Sequence, residues 1–154
     1  AGGQPTNAVA LAGKVRLDRV YRCAVPFLLP GYAPRPPSKC STDFVLDGAG
    51  LTTTAAGTVW MTPVPGGPEY QVSVGRSNPD TVVNDTIDGK PVQVIPAPAD
   101  NSAPPEIRYP HDGRTAYFWQ FGAGPAEALR AVAAAFTPVP GRDPESWPST
   151  PFDA

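Results

Sequence analysis

The chain has 154 residues, a formal net charge of −2 at pH 7, and a composition that is 41% hydrophobic and 17% charged. This balance excludes the basic stripe that nucleic-acid binding requires, and no run approaches the roughly 20 apolar residues of a membrane-spanning helix. We therefore expect a single domain over residues 1–154, with no nucleic-acid partner and no membrane span.

Proline and cysteine usage is the most informative feature of the composition. Proline fixes φ and removes a backbone donor, and 22 prolines favour short strands and stiff loops over long helices. Five of them lie between the only two cysteines, Cys23 and Cys40. We expect these cysteines to form a disulfide that stabilises the fold by about 3 kcal/mol. Two free thiols in a cytosolic protein are the alternative.

The expected disulfide bears on localisation, because such bonds persist in oxidising compartments. The chain begins at Ala1, which fits an exported protein whose signal peptide has been removed and fits a trimmed chain equally well. We predict a secreted or extracytoplasmic protein of the periplasm or cell envelope. Two cysteines and one histidine are too few soft ligands for a metal site, and we expect no cofactor.

In chain order, a loose leader over residues 1–7 precedes short segments in which apolar and polar residues alternate, as in strands with one buried face. Strands are expected at residues 14–25, 43–47, 58–64, 69–75, 81–87, 90–95, 106–109 and 115–121. Residues that supply fixed or positive φ separate three pairs of these strands, at 65–68, 88–89 and 111–113. They predict three hairpins.

One helix is expected, at about residues 125–136. Gly124 would be its N-cap, Pro125 suits the first helical position, and Glu127 lies in the first turn, where the helix dipole favours an acid. The residues that recur at helical spacing and would form its buried stripe are Leu129, Val132, Ala133 and Phe136. Residues 137–154 are a proline-rich tail, which we expect to be extended, with Trp147 and Phe152 as apolar anchors.

The order of these elements predicts the fold class. Six to eight short strands with regular turn signals, followed by one helix, are typical of an antiparallel sheet with a helix on one face. We expect a mainly β protein, an antiparallel β-sandwich or roll with the C-terminal α-helix packed on it.

The segment between the cysteines, residues 24–39, is the first candidate for binding. The side chains that it would offer to a partner are Phe27, Leu28, Leu29, Tyr32 and Arg35. A loop stiffened by proline loses little conformational entropy on binding, so exposed apolar side chains on it favour a protein partner. In the alternative, Phe27 and Leu29 fold back into the core and the prolines only stiffen a connection.

A row of aromatic residues is the second candidate. Tyr117, Trp119 and Phe121 share one face of the strand at 115–121, and Trp60 and Tyr70 lie on neighbouring predicted strands. Aromatic rings on a sheet can stack on sugars or line an apolar ligand cavity. The more common role of such a row is to form the core of a sandwich.

Catalytic and metal sites have weaker signals. His111, followed by Asp112, could be a general base or a metal ligand, but no nucleophile motif accompanies it and the pair is also typical of a turn. Oxygen ligands for calcium are densest at Asn78, Asp80, Asn84, Asp85 and Asp88. Their spacing does not match a 12-residue calcium loop, and turns select the same residue types.

These observations favour a non-enzymatic extracytoplasmic module that binds a protein partner through residues 24–39. Two alternatives stay open. One is a secreted hydrolase whose Asp and Glu side chains and His111 meet only in the folded chain. The other is an accessory subunit of a cell-envelope complex that the tail straps to its partner. The sequence does not identify a small-molecule ligand.

Overall fold

The computed structural model describes residues 23–32, 39–47, 50–140 and 146–152. In these ranges the strands are β1 Phe27–Leu28, β2 Lys39–Asp47, β3 Gly50–Met61, β4 Glu69–Arg76, β5 Asp85–Ile87, β6 Lys90–Ile95, β7 Glu106–His111, β8 Arg114–Phe121 and β9 Thr137–Pro138. The helix, α1, is Ala126–Ala135. Of the predicted elements, the leader at 1–7 and the strand residues 14–22 lie outside the described residues.

The strands form two antiparallel sheets. Seven of them lie side by side in the order β2-β3-β4-β8-β7-β6-β5, and β1 pairs with β9 in a second, two-stranded sheet. All three predicted hairpins are present, as β3–β4, β5–β6 and β7–β8. The mainly β class with antiparallel sheets and a C-terminal helix is therefore confirmed.

The alternating pattern of the sequence becomes a buried and a half-buried face of the large sheet. Burial alternates residue by residue along β4, and along β8 from Ala116 onward. The buried face carries Val59, Val72, Val74, Ile107, Ala116 and Phe118, each no more than 1% exposed. We call this side the inner face and the opposite side the outer face, because successive side chains of a strand point to opposite sides of the sheet.

Helix α1 packs on the inner face through the predicted stripe. Leu129, Val132, Ala133 and Phe136 are all buried. The helix is one residue shorter at each end than predicted, with Pro125 and not Gly124 as its N-cap and Phe136 as its C-cap. Lys90 in β6 donates from Nζ to the carbonyl oxygens of Ala133 and Ala134, supplying the positive charge that a helix C-terminus favours. In the part of the chain that the structure describes, no helix has the length and apolar character of a membrane span.

The ends of the described chain complete the layer over the inner face. Phe27 pairs with Pro138 across β1 and β9, the Val139 amide donates to the Pro26 carbonyl, and the Leu29 amide donates to the Pro151 carbonyl. The predicted apolar anchors of the tail, Trp147 and Phe152, are buried. Gly57 allows the close approach, because a Cβ at that position would lie 2.9 Å from Cγ1 of Val25.

Several predicted strands differ in their bounds from those observed. Residues 23–25, the described end of the strand predicted at 14–25, are not in a strand, and the strand predicted at 43–47 begins earlier, at Lys39. The strand predicted at 58–64 ends at Met61, because the turn of the hairpin begins before Pro65.

The strand expected at 81–87 is limited to Asp85–Ile87, because the Asn84 side chain takes the place of a ladder partner. Its Nδ2 donates to the Val94 carbonyl and its Oδ1 accepts from the Val94 amide. Strand β3 begins eight residues before the predicted start, in a run of Thr, Ala and Gly that has no apolar alternation to reveal it.

Candidate binding face of the sheet

The predicted disulfide between Cys23 and Cys40 is present and connects the segment before β1 to β2. The Cα atoms are 5.6 Å apart, and Cys40 lies opposite Val59 on the inner face. A hydrogen bond of 2.5 Å from Oγ1 of Thr42 to the carbonyl of Ala24 adds a second connection. The segment is thus held against the core at its cysteine end.

The structure decides between the two interpretations of this segment for Phe27 and Leu29. Phe27 and Leu29 are 0% exposed, so the alternative in which they return to the core is confirmed for both. The reason is the tail, which pairs with β1 and brings Phe136 to 5.3 Å from the Phe27 ring. Leu28 and Tyr32 remain half-buried. Arg35 lies outside the described residues.

Tyr32 lies against the hairpin β3–β4 rather than projecting into solvent. It lines an apolar pocket of about 200 Å³ together with Val64, Pro68, Tyr70 and other residues. Burial raises the pKa of both tyrosine hydroxyls, and the proximity of Tyr70 raises that of Tyr32 further. Both hydroxyls therefore stay neutral well above physiological pH.

The aromatic row is not core. Trp60, Tyr117, Trp119 and Phe121 are half-buried on the outer face, and of the predicted row only Tyr70 belongs to the core. The alternation along β8 explains this, because α1 and the segment 23–29 cover the face that carries Ala116 and Phe118. We call the surface formed by Trp60, Tyr117, Trp119, Phe121 and the polar side chains among them the aromatic face.

Strand register arranges the aromatic face in two adjacent rows. One row, reading across β3, β4, β8 and β7, is Trp60, Gln71, Trp119 and Glu106. The next row across the same strands is Thr58, Ser73, Tyr117 and Arg108. Side chains directly opposite one another on a sheet face have Cβ atoms about 5 Å apart, so each aromatic ring has a polar neighbour within reach.

The aromatic rings of this face stack in pairs. Tyr117 and Trp119 are parallel within 2°, with ring centroids 5.4 Å apart. Trp60 and Phe121 also stack, at 5.4 Å and an angle of 28°. Offset stacking of this kind is favourable by about 0.5–1.5 kcal/mol beyond area burial, and it fixes the orientation of large rings that are not packed inside the core.

The polar side chains beside the aromatic rings form hydrogen bonds with one another. Nε and Nη2 of Arg108 donate to the two carboxylate oxygens of Glu106 at 2.7 and 3.1 Å, with the Glu106 side chain only 14% exposed. These hydrogen bonds raise the pKa of Arg108, which therefore stays charged. A hydrogen bond of 2.9 Å joins the hydroxyls of Thr58 and Ser73. Alternation in the sequence indicates which strand positions are polar. Which polar side chain lies beside which aromatic ring depends on the register between neighbouring strands.

His111, the catalytic candidate, is a half-buried member of an aromatic cluster. Its ring stacks on Tyr109 at 5.1 Å and meets the edge of Phe136 at 5.7 Å. Both ring nitrogens are buried without a hydrogen-bond partner. Asp112 and Gly113, both at positive φ, form the turn that follows it, as expected of an Asp-Gly hairpin.

The environment of His111 predicts how stability depends on pH. Burial lowers its pKa below 6.5, Arg114 lowers it further, and Asp112 partly opposes them. Between that depressed pKa and 6.5 the unfolded chain binds more protons than the folded one, so the stability present at neutral pH is lost on acidification. We expect the melting temperature to fall between pH 7.5 and pH 5.5.

His111→Phe tests this origin, because His111 is the only histidine in the chain and phenylalanine suits the cluster. The variant should keep a nearly constant melting temperature across the same range in scanning calorimetry. The stability change linked to protonation of Asp85, whose pKa is lowered, occurs at more acidic pH and does not affect the melting temperature in this range. A wild-type profile that is flat, or an equal slope in both proteins, contradicts the assignment.

Three of the oxygen-rich residues considered for calcium, Asn78, Asn84 and Asp85, make structural hydrogen bonds. Asp85 accepts a hydrogen bond of 2.6 Å from Arg130 in α1, which is the main cause of its lowered pKa. Oδ1 of Asn78 accepts from the Asp80 amide, and Asn84 bonds the β6 backbone. Across the described ranges, no group of three His, Cys, Asp or Glu side chains is placed to hold a metal ion.

Comparison of the chain with protein-family models, with curated proteins and with solved structures finds no match. The chemistry of the aromatic face and its surroundings is therefore the basis on which a function can be proposed.

Proposed function

We propose that the protein is a non-enzymatic, extracytoplasmic binding module whose aromatic face binds a saccharide chain. The observation that carries the proposal is the stacked Tyr117–Trp119 pair beside the Glu106–Arg108 ion pair on a half-buried face of the sheet. The Cys23–Cys40 disulfide supports placement outside the cytoplasm, because such bonds persist in oxidising compartments.

Each kind of group on the face has a counterpart on a sugar. The C–H groups on one side of a pyranose ring carry partial positive charge, which the negative face of an indole or phenol ring attracts. Sugar hydroxyls donate to the Glu106 carboxylate and accept from Arg108 and from the amide of Gln71. The rows cross four strands, or roughly 14 Å, which suits a short chain of sugars better than a single one.

Isothermal titration calorimetry with three uncharged hexasaccharides tests the proposal: chitohexaose, cellohexaose and maltohexaose. We expect at least one of them to bind the wild-type protein. Trp119→Ala should weaken that binding by about 30-fold, since truncating a central aromatic anchor in an interface costs about 2 kcal/mol. Far-UV circular dichroism checks that the sheet of the variant is intact.

A matched control is Tyr32→Ser, which removes a half-buried aromatic side chain that lines the pocket with Tyr70 of the inner face. It should leave the saccharide affinity within about twofold of wild type, because Tyr32 packs against the core on the inner face and not on the aromatic face. Absence of binding to all three hexasaccharides contradicts the proposal. So does equal affinity in the wild type and in Trp119→Ala.

A protein partner at residues 24–39 is the second candidate. Leu28 and Tyr32 are partly exposed there, and Val64 beside Tyr32 is 64% exposed. Leu28→Ser combined with Tyr32→Ser tests it by affinity capture from culture fluid. A protein retained by the wild type and by Trp119→Ala, but not by the double variant, supports this candidate; equal retention by all three excludes it.

A further inference from the structure

A cavity of about 440 Å³ lies at the end of the sheet, where the loop before β7 passes the end of β8. Its lining includes Ala97, Ala103, Gln120, Phe121, Gly122 and Ala123. The volume is within the range of small-molecule sites, about 300–1,000 Å³. Every side chain in the lining is uncharged, so the cavity suits a neutral ligand group rather than an ion.

Gln120 makes this cavity more than a surface depression. The residue is only 4% exposed, and its Oε1 is buried without a hydrogen-bond partner. A buried amide oxygen that lacks a partner costs free energy, which a ligand N–H that reaches it removes. The torsion that orients a glutamine amide is soft, so rotation about it can turn the oxygen towards the cavity.

Phe121 connects the cavity to the aromatic face. Its ring stacks on Trp60 on the outer face, and the same side chain lines the cavity. Gln120 and Phe121 point to opposite faces of β8, so the cavity wraps around the end of the sheet. A chain lying on the aromatic face can therefore place its last unit in the cavity.

We infer that this cavity is the subsite for the acetamido group of a terminal N-acetylated sugar, which presupposes saccharide binding on the aromatic face. An acetamido group has one N–H donor and one carbonyl acceptor, complementary to the acceptor and donor of the Gln120 amide. Its methyl group matches the alanine side chains of the lining, and it carries no charge. A plain hydroxyl fills neither the apolar part of the cavity nor both hydrogen-bonding positions.

Chitohexaose and cellohexaose share the same backbone linkage and differ in whether an acetamido group or a hydroxyl is present on each unit. By calorimetry we expect the wild type to bind chitohexaose about tenfold more tightly, the effect of one or two hydrogen bonds. Gln120→Met keeps the length of the side chain but removes the amide, and should abolish this preference while leaving cellohexaose affinity unchanged. Its melting temperature should not fall, since the buried oxygen has no partner to lose.

A second variant, Ala103→Phe, fills the mouth of the cavity from an exposed position and should also abolish the preference. Side-chain amide NMR signals of Gln120 should shift with chitohexaose and not with cellohexaose. If the wild type binds the two ligands with equal affinity and Trp119→Ala weakens the binding of both, the cavity assignment is wrong and the proposed function stands. A preference that survives in Gln120→Met overturns the cavity assignment too. Binding of neither ligand overturns both.

Discussion

Truncation of Phe136 to alanine is expected to destabilise the protein by about 3–5 kcal/mol, the usual cost of removing a buried phenylalanine ring. Phe136 is 0% exposed at the C-cap of α1. Its ring lies 5.3 Å from the rings of Phe27 and Phe118, 5.7 Å from His111 and 6.1 Å from Tyr109. One side chain thus joins the helix to β1, β7 and β8, and its loss leaves a cavity among all of them.

Urea unfolding followed by circular dichroism measures this change, and the melting temperature should fall by roughly 10 °C or more. Val82→Ala is the control: it also removes apolar atoms, but from a side chain that is 66% exposed, and its effect should stay within about 0.5 kcal/mol.

The pH dependence of Phe136→Ala provides an independent check. Without the ring that covers His111, water reaches the imidazole and its pKa moves back towards 6.5. The loss of stability between pH 7.5 and pH 5.5 should therefore shrink in Phe136→Ala. Two results would contradict the described packing of Phe136. One is a destabilisation of the protein by Phe136→Ala of less than about 1 kcal/mol, and the other is a pH dependence of stability as steep in the variant as in the wild type.

Local periodicity was sufficient to predict the elements whose signals are themselves local. The stripe of α1 and the Asp-Gly turns at 88–89 and 112–113 are set by residues a few positions apart, and their predictions are confirmed. The same holds for the disulfide, for which two cysteines leave one pairing. Strand order is different, because β8 lies between β4 and β7 and no local pattern specifies that insertion.

Strand β8 shows why the candidate site could not be assigned from the sequence. Both of its faces carry aromatic residues, Phe118 on one and Tyr117 and Trp119 on the other. Alternation separates the two sets but does not tell which one the helix covers. Hydrophobicity favours the row of Tyr117, Trp119 and Phe121 as core, whereas the structure buries the row that includes Ala116 and Gln120.

The local sequence around Gln120 predicts an exposed position, although the residue is buried. A glutamine between Trp119 and Phe121 is typical of a solvent-facing position, whereas the structure places it on the inner face and 4% exposed. The usable signal was its spacing of two from Phe118, which assigns both to the same side of the strand. The sequence leaves the burial of Phe27 and Leu29 open for a related reason: the tail that covers them is more than 100 residues further along the chain.

Removal of the disulfide with the double substitution Cys23→Ser and Cys40→Ser is expected to destabilise the protein by about 3 kcal/mol. The bond closes a loop with a sequence separation of 17, and closure of such a loop restricts the unfolded chain by about that amount. The segment that it secures contributes Val25, Phe27 and Leu29 to the core, all of them 0% exposed. The double variant avoids the free thiol that a single substitution leaves behind.

Urea unfolding with and without dithiothreitol separates loss of the bond from other effects of substitution. Reductant should lower the unfolding midpoint of the wild type to that of the double variant and leave the variant itself unchanged.

Because the segment lies on the inner face, hexasaccharide affinity measured well below the midpoint should be preserved in the variant, whereas a partner docked on residues 24–39 should be lost. Equal midpoints for the oxidised and reduced wild type contradict the stabilising role. The aromatic face and the disulfide lie on opposite sides of the sheet, so saccharide binding should not depend on the disulfide. Loss of saccharide affinity in a folded, reduced protein would contradict this.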